Sequence, residues 1–163
     1  MRTKQRKLNY LLVSLVNYLS RMLFPKKVKF RRWQTARKHP EKRGVASRGI
    51  NIQHGTFALK ATSQARVTSR QIESARKTVT RTIGKLGKYW IRIFPDRPFT
   101  RKAAEVGMGK GKGNPEGYCF DVKPRRILFE VTHASDEVAR EALRKAGAKF
   151  PVTTKIVHKD FIA

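Results

Sequence analysis

Gly107-Met108-Gly109-Lys110-Gly111-Lys112-Gly113-Asn114-Pro115-Glu116-Gly117, GMGKGKGNPEG, is the stretch around which the chain is organised. Glycine brings no Cβ, so a run of this kind neither packs a core nor holds a helix. Such a run suits backbone that approaches another molecule closely, and lysines between the glycines predict that this molecule is negative. It is not a nucleotide phosphate loop: Gly111-Lys112 is followed by Gly113, where a Walker loop needs Ser or Thr. The dinucleotide pattern G-x-G-x-x-G fails as well, because counting from Gly109 the sixth residue is Asn114. The expectation is a loop that orders against a large polyanion; the plainer alternative is a solvated loop.

Working outward toward the N-terminus, KYWIRIF at 88–94 alternates as a strand, with Tyr89, Ile91 and Ile93 on one face and Trp90, Arg92 and Phe94 on the other. Pro95 and Pro98 are expected to stop it. Before that, Thr68 and Gln71 form a capping box. The spacing predicts a helix from there to about Leu86, with Gly87 as the stop. Ile72, Ala75, Val79, Ile83 and Leu86 make its apolar stripe. Arg70, Lys77, Arg81 and Lys85 lie opposite, with Arg76 on the flank and Glu73 the one acid. A solvated face usually mixes both signs, so this one is expected to meet RNA. GTFALKA at 55–61 and RVT at 66–68 read as strands.

Toward the C-terminus, Tyr118–Lys123 and Ile127–Thr132 alternate, and Lys123-Pro124-Arg125-Arg126 is predicted to join them as a hairpin. Ser135 is a suitable N-cap for a second helix ending at Ala146–Gly147, with Val138, Ala139, Ala142, Leu143 and Ala146 buried. A last strand, VTTKIV, follows Pro151.

The 163 residues include 38 Lys and Arg against 11 Asp and Glu, a net charge of +27. A free globular protein gains nothing from that self-repulsion. Phosphates of a nucleic acid resolve it, and a membrane surface is the second candidate. One cysteine, Cys119, excludes an internal disulfide, and the histidines show no ligand spacing. No metal and no cofactor are expected. Glu116 and Asp121 are the acids a hydrolytic site would need, but their spacing demands no such site. No catalytic residue is expected; a basic RNA-processing nuclease, or a stand-alone RNA-binding module, stands as the alternative.

Residues 22–49 form a basic arm: Lys26, Lys27, Lys29, Arg31, Arg32, Arg43 and Arg48 are among its cations, with Phe24, Phe30 and Trp33 between them. Its cations suit phosphates and its aromatics suit bases. Phe30 and Trp33 could equally anchor the arm on the body. Residues 1–21 hold an amphipathic run, Leu8–Leu19, too short to span a bilayer. They read as an accessory or presequence-like extension, or as a miscalled start ahead of Met22. The division expected is thus 1–21, 22–49 and a single domain at 50–163.

In this order the segments FPKKVKFRRW (24–33), GTFALKA (55–61), TSRQIESARK (68–77), GKYWIRIFPDRP (87–98), VGMGKGKGNPEGY (106–118) and EVAREALRKAGAKFP (137–151) closely resemble the bacterial-type large ribosomal subunit protein sixteen family. The resemblance implies an α+β fold: a compact antiparallel sheet packed by two main helices, with a basic N-terminal arm and a long glycine-rich loop. It implies partners: large-subunit ribosomal RNA near the central protuberance and the five-S RNA region, A-site and P-site tRNA, and neighbouring ribosomal proteins, with no membrane. It implies a non-catalytic role in assembly and translation on the cytoplasmic ribosome of a bacterium, or on a mitochondrial or plastid one. The candidate rRNA contacts are Lys26, Lys27, Lys29, Arg31, Arg32, Trp33, Arg43, Arg48, Arg70, Arg76, Lys77, Arg81 and Arg92. Met108, Gly109, Lys110, Gly111, Lys112 and Gly113 form the loop expected near tRNA. The family often has arginine before this methionine; Gly107 stands there instead, so a modification of that arginine does not carry over.

Overall fold

The computed structural model describes residues 23–34, 44–85, 87–109, 111–132 and 135–159. Seven strands and two helices follow one another as β1 (Phe57–Ala61), β2 (Ala65–Thr68), α1 (Ser69–Ile83), β3 (Lys88–Ile91), β4 (Arg97–Arg101), β5 (Asn114–Val122), β6 (Ile127–Thr132), α2 (Asp136–Gly147) and β7 (Thr154–His158). The class is α+β with antiparallel pairing throughout, as expected. The strands divide between two sheets, however, in the orders β3-β6-β1-β7 and β2-β5-β4.

The alternation in FALKA decides the core. Phe57, Leu59 and Ala61 point from β1 into the main core with Phe129 and Val131 of β6. Ile72, Ala75, Val79 and Ile83 of α1 close it from one side, and Ala139, Ala142, Leu143 and Ala146 of α2 from another. Val138 is half-buried, and Leu86 lies outside the described residues. The other face of β1 carries Ala58, which packs with Ile127 and Ile52 in a small second cluster.

Three expectations are corrected. The helix α1 starts on its capping box, with Thr68 and Gln71 exchanging hydrogen bonds, but ends at Ile83. Gly84, nearer than Gly87, supplies the cap, its N–H donating to the Thr80 carbonyl at 3.1 Å. Residues 123–126 do not join a hairpin. β5 and β6 lie in different sheets, and the turn between them bonds to the end of β1: Arg125 N–H donates to the Ala61 carbonyl (2.7 Å) and Ala61 N–H to the Arg126 carbonyl (2.8 Å). The strand expected over 88–94 stops ahead of Pro95 as foreseen but already at Ile91, and an unforeseen strand, β4, begins at Arg97. Pro98 sits opposite Tyr118 in β4, an edge strand, where a missing donor is tolerated.

Candidate nucleic-acid interface

The glycine stretch closes a hairpin. β4 runs out to Arg101, the chain turns through residues 102–113, and β5 returns from Asn114 opposite Arg101. The glycines have separate jobs. A Cβ on Gly113 would meet the Arg101 carbonyl oxygen at 2.4 Å, so only glycine lets the returning strand pass. Gly109 and Gly111 take φ of +91° and +85°, a region that L side chains rarely adopt. Around Gly107, Gly109 and Gly111 a Cβ would meet nothing within 4 Å, and Met108 is 100% exposed. The tip thus stands clear of the body. Within it, Lys102 donates to the Gly109 carbonyl.

The arm docks along this hairpin. Phe24 meets Tyr118 edge-on, with ring centres 5.4 Å apart. Arg32 donates to Asn114 Oδ1 at 3.2 Å, and Arg97 to the Gln34 carbonyl at 2.8 Å. Lys112 donates to the Trp33 carbonyl, while the Arg97 guanidinium lies 5.6 Å from the centre of the Trp33 ring. Trp33 therefore touches the body, yet 43% of it remains exposed; Phe30, with Lys29 over its ring, is 57% exposed. Sequence alone left anchoring and stacking as alternatives for Trp33, and this geometry serves both.

The remaining sequence-predicted cations fall in two groups. Lys26, Lys27, Lys29, Arg31, Arg32, Arg48, Arg70, Lys77 and Arg81 are exposed, and none forms an ion pair with an acid among the described residues. Arg76 and Arg92 are engaged inside the protein. Arg76 pairs with Glu73 at 2.6 Å and donates to the Tyr89 hydroxyl at 3.2 Å. Its hydrogen bond with Glu73 raises the guanidinium pKa further and holds the carboxyl below its usual range. Arg92 pairs at 3.1 Å with Glu130, which is fully buried. Arg43 and Lys110 lie outside the described residues.

Sequence reasoning missed Glu130, Arg97 and Arg126. Glu130 accepts backbone N–H bonds from Gln53, His54 and Gly55, at 3.3, 2.7 and 3.1 Å. It thereby fixes the segment that carries Arg48. An acid inside the apolar run ILFEVT was the signal. Arg97 pairs with Asp121, which also takes Arg66 at 3.2 Å. Arg126 donates to the carbonyls of Arg48 (2.7 Å) and Arg92 (3.0 Å), and burial lowers its pKa. With Asp121 held by two arginines and Glu116 lying 3.9 Å from Arg101, the carboxylates that a nuclease would use are each committed to cations. Among the described residues no group of three His, Cys, Asp or Glu could hold a metal ion. Among them too, no helix is long and apolar enough to cross a membrane; the Leu8–Leu19 run lies outside.

A small α+β body with an acid-poor face, a docked basic arm and a projecting glycine–lysine hairpin defines a protein built to sit against a polyanion. The model of the ribosomal protein L16p/L10e family matches residues 25–157. The chain is 50% identical over 138 residues to the large ribosomal subunit protein uL16 of Francisella philomiragia, covering 85% of this chain and 98% of that protein. It is 49% identical, with the same coverage, to the proteins of that name from Francisella tularensis subsp. novicida and Halorhodospira halophila. The chain belongs to the ribosomal protein L16p/L10e family, and as a member it is a ribosomal protein, not an enzyme.

Proposed function

We propose that this protein is a structural constituent of the large subunit of a bacterial cytoplasmic ribosome. Its exposed arm cations and those of α1 hold ribosomal RNA near the central protuberance and the five-S RNA region. The hairpin tip, Met108 to Gly113, faces A-site and P-site tRNA. Residues 22–49 act as the RNA-binding arm and 50–163 as the domain that aims it. Bacterial relatives named for the large subunit support this reading over an organellar ribosome. The observation that carries it is the hairpin tip, which is held at its base by Gly113 and the arm yet touches nothing of the body around Gly107, Gly109 and Gly111.

Sucrose-gradient sedimentation of tagged protein tests the assignment. Co-migration with the large subunit at moderate salt is expected, and absence from that peak would refute it. Replacing residues 107–112 by a two-residue turn is expected to leave co-migration intact while lowering tRNA occupancy of the A site. For the isolated protein, about six to ten phosphate contacts predict a loss of roughly 10³ to 10⁵ in RNA affinity between about 50 and 200 mM salt.

A further inference from the structure

The end of the arm and the turn after β5 enclose a cavity of about 230 Å³, lined by Ser47, Arg48, Phe120, Asp121, Lys123 and Arg126. Backbone bonds tie its walls together: Ala46 N–H donates to the Pro124 carbonyl and Ile127 N–H to the Gly49 carbonyl, both at 2.9 Å. Gly49 has φ of +66°, and a Cβ there would overlap the Arg126 guanidinium, so glycine lets that group lie against the arm. The turn itself is strained, because Arg125 takes φ of +74°, uncommon for a residue with a side chain. Strain of this kind gathers at ligand sites.

Arg126 is the residue that points to a ligand. Its Nη1 donates to the Arg48 carbonyl and its Nη2 to the Arg92 carbonyl. Its Nε is buried and has no hydrogen-bond partner among the described residues. Buried polar atoms are ordinarily paired. The charge has no acid either: Asp121 is held by Arg66 and Arg97, and Glu130 by Arg92. Burial, followed by the nearby Arg92 charge, lowers the Arg126 pKa. A partly desolvated cation without a counter-charge is costly. Arg48 and Lys123, both exposed on the same cavity, add to the positive field. Bracing two carbonyls accounts for two nitrogens of the guanidinium, but not for the third or for the cavity beside it.

We propose that this cavity binds one phosphodiester group of an RNA strand, whose oxygens supply the acceptor and the counter-charge that Arg126 lacks. Arg48 and Lys123 neutralise the same group. The Phe120 ring, 5.4 Å from the Arg126 guanidinium, borders the adjoining ribose. Nε is closed off in the free chain, so binding shifts the guanidinium, and its Nε–H signal reports the event. The proposal takes the identity of its ligand from the ribosomal reading above.

The test uses the full chain, labelled with ¹⁵N and titrated with inorganic phosphate at constant ionic strength. Saturable shifts of the Ser47, Arg48 and Lys123 amides and of the Arg126 Nε–H signal are expected. Lys123→Gln is expected to weaken binding about twofold to fivefold, and Lys149→Gln, which removes the same charge just past α2, to leave it unchanged. Equal weakening by both would reduce the effect to net charge and overturn the site. Arg126→Lys keeps the charge but loses Nε and is expected to abolish saturation; should it fail to fold, the two lysine variants still decide. Hexauridylate is expected to shift the same signals at lower concentration than phosphate, and shifts with free phosphate alone would overturn the RNA assignment. Non-saturable shifts would overturn the site even if the tagged chain sediments with the large subunit. Failure of sedimentation beside saturable shifts would instead remove the ribosomal reading and leave the anion site standing.

Discussion

Glu130 is the place where one atom change should cost the most. It sits in β6, between β1 and β3, with no exposure. One carboxylate oxygen accepts from His54 N–H at 2.7 Å and Gly55 N–H at 3.1 Å; the other takes Arg92 at 3.1 Å, and Gln53 N–H lies 3.3 Å from both. Glutamine has the same shape but cannot repeat this. If its oxygen serves His54 and Gly55, its NH₂ faces the Arg92 guanidinium and the Gln53 amide, donor against donor. The reverse orientation leaves the backbone amides unpaired. Breaking a buried pair from one side costs about 3–5 kcal/mol. Single domains are stable by about 5–15 kcal/mol, and one of this size loses about 2–4 °C in Tm per kcal/mol. Glu130→Gln is therefore predicted to lower Tm by about 6–20 °C, read by circular dichroism, and to lower the urea midpoint with an unchanged slope. A loss below about 1 kcal/mol would refute the reasoning. Arg92→Met leaves the three amides in place and should cost less, about 2–3 kcal/mol. The double variant should be milder than the sum by about 1–3 kcal/mol, since the two side chains act as a pair. The Arg92 variant also decides between its two roles: unchanged RNA affinity of the folded protein assigns it to the fold, and a clear loss assigns it to RNA.

Three further outcomes are expected. Gly113→Ala puts a Cβ 2.4 Å from the Arg101 carbonyl and should cost about 1–3 kcal/mol by urea titration, whereas Gly107→Ala, with nothing within 4 Å, should stay within about 0.5 kcal/mol. Cys119 is 1% exposed, and burial, followed by the nearby Asp121 charge, pushes its thiol up; a thiol reagent should label it slowly at neutral pH and faster as urea opens the fold, and rapid labelling without urea would contradict the placement. Stability should fall with acid: the Arg76 hydrogen bond holds Glu73 below its usual 4.5, and Arg144 brings Glu141 down to about 2. Folded values below unfolded ones mean support that is full above about pH 4.5 and lost as pH drops through the folded values. Glu73→Gln should flatten the urea midpoint against pH in that window, and an unaltered slope would count against it.

Local signals carried most of the elements. The capping box at Thr68 placed the start of α1 to the residue, because it is a pair of bonds between neighbours in sequence. Period-two alternation placed β1 and β3, since Phe57, Leu59 and Ala61 share one face of β1 in the main core and Tyr89 and Ile91 pack against that core from β3, with Ile93 buried just beyond the strand. What escaped is non-local. Nothing in Lys123–Arg126 says that β5 and β6 part company, since that depends on β1 and β3 competing for β6 and on β2 and β4 competing for β5. Pro98 hid β4 because edge position, which makes proline tolerable, is a property of the sheet. Among the candidate site residues, positive charge was legible but commitment was less so: Arg76 meets Glu73 one turn back on its own helix, a pairing local enough to read, whereas Arg92 meets Glu130 only because β3 lies beside β6.

The placement of the acids separates the two kinds of cation. There are 11 acids for 38 lysines and arginines, so most cations have no acid to meet. Among the described residues, the paired ones are Arg66 and Arg97 on Asp121, Arg76 on Glu73, Arg92 on Glu130, Arg101 on Glu116, and Arg144 with Lys145 on Glu141. All of these lie on the strands or, for Arg92, just past the end of β3, on the flank of α1 or on the outer surface of α2. None lies on the arm or on the outward stripe of Arg70, Lys77, Arg81 and Lys85. Exposed charges within about one Debye length, ~10 Å at 0.1 M salt, repel one another. A stripe left unneutralised while the framework is laced with pairs is a standing cost to the isolated fold, and a dense array of phosphates removes it by supplying the missing sign. The same division explains why the arm can be docked yet available: its backbone carbonyls at Trp33 and Gln34 accept from Lys112 and Arg97, which leaves the side chains of Lys26, Lys27 and Arg31 turned outward.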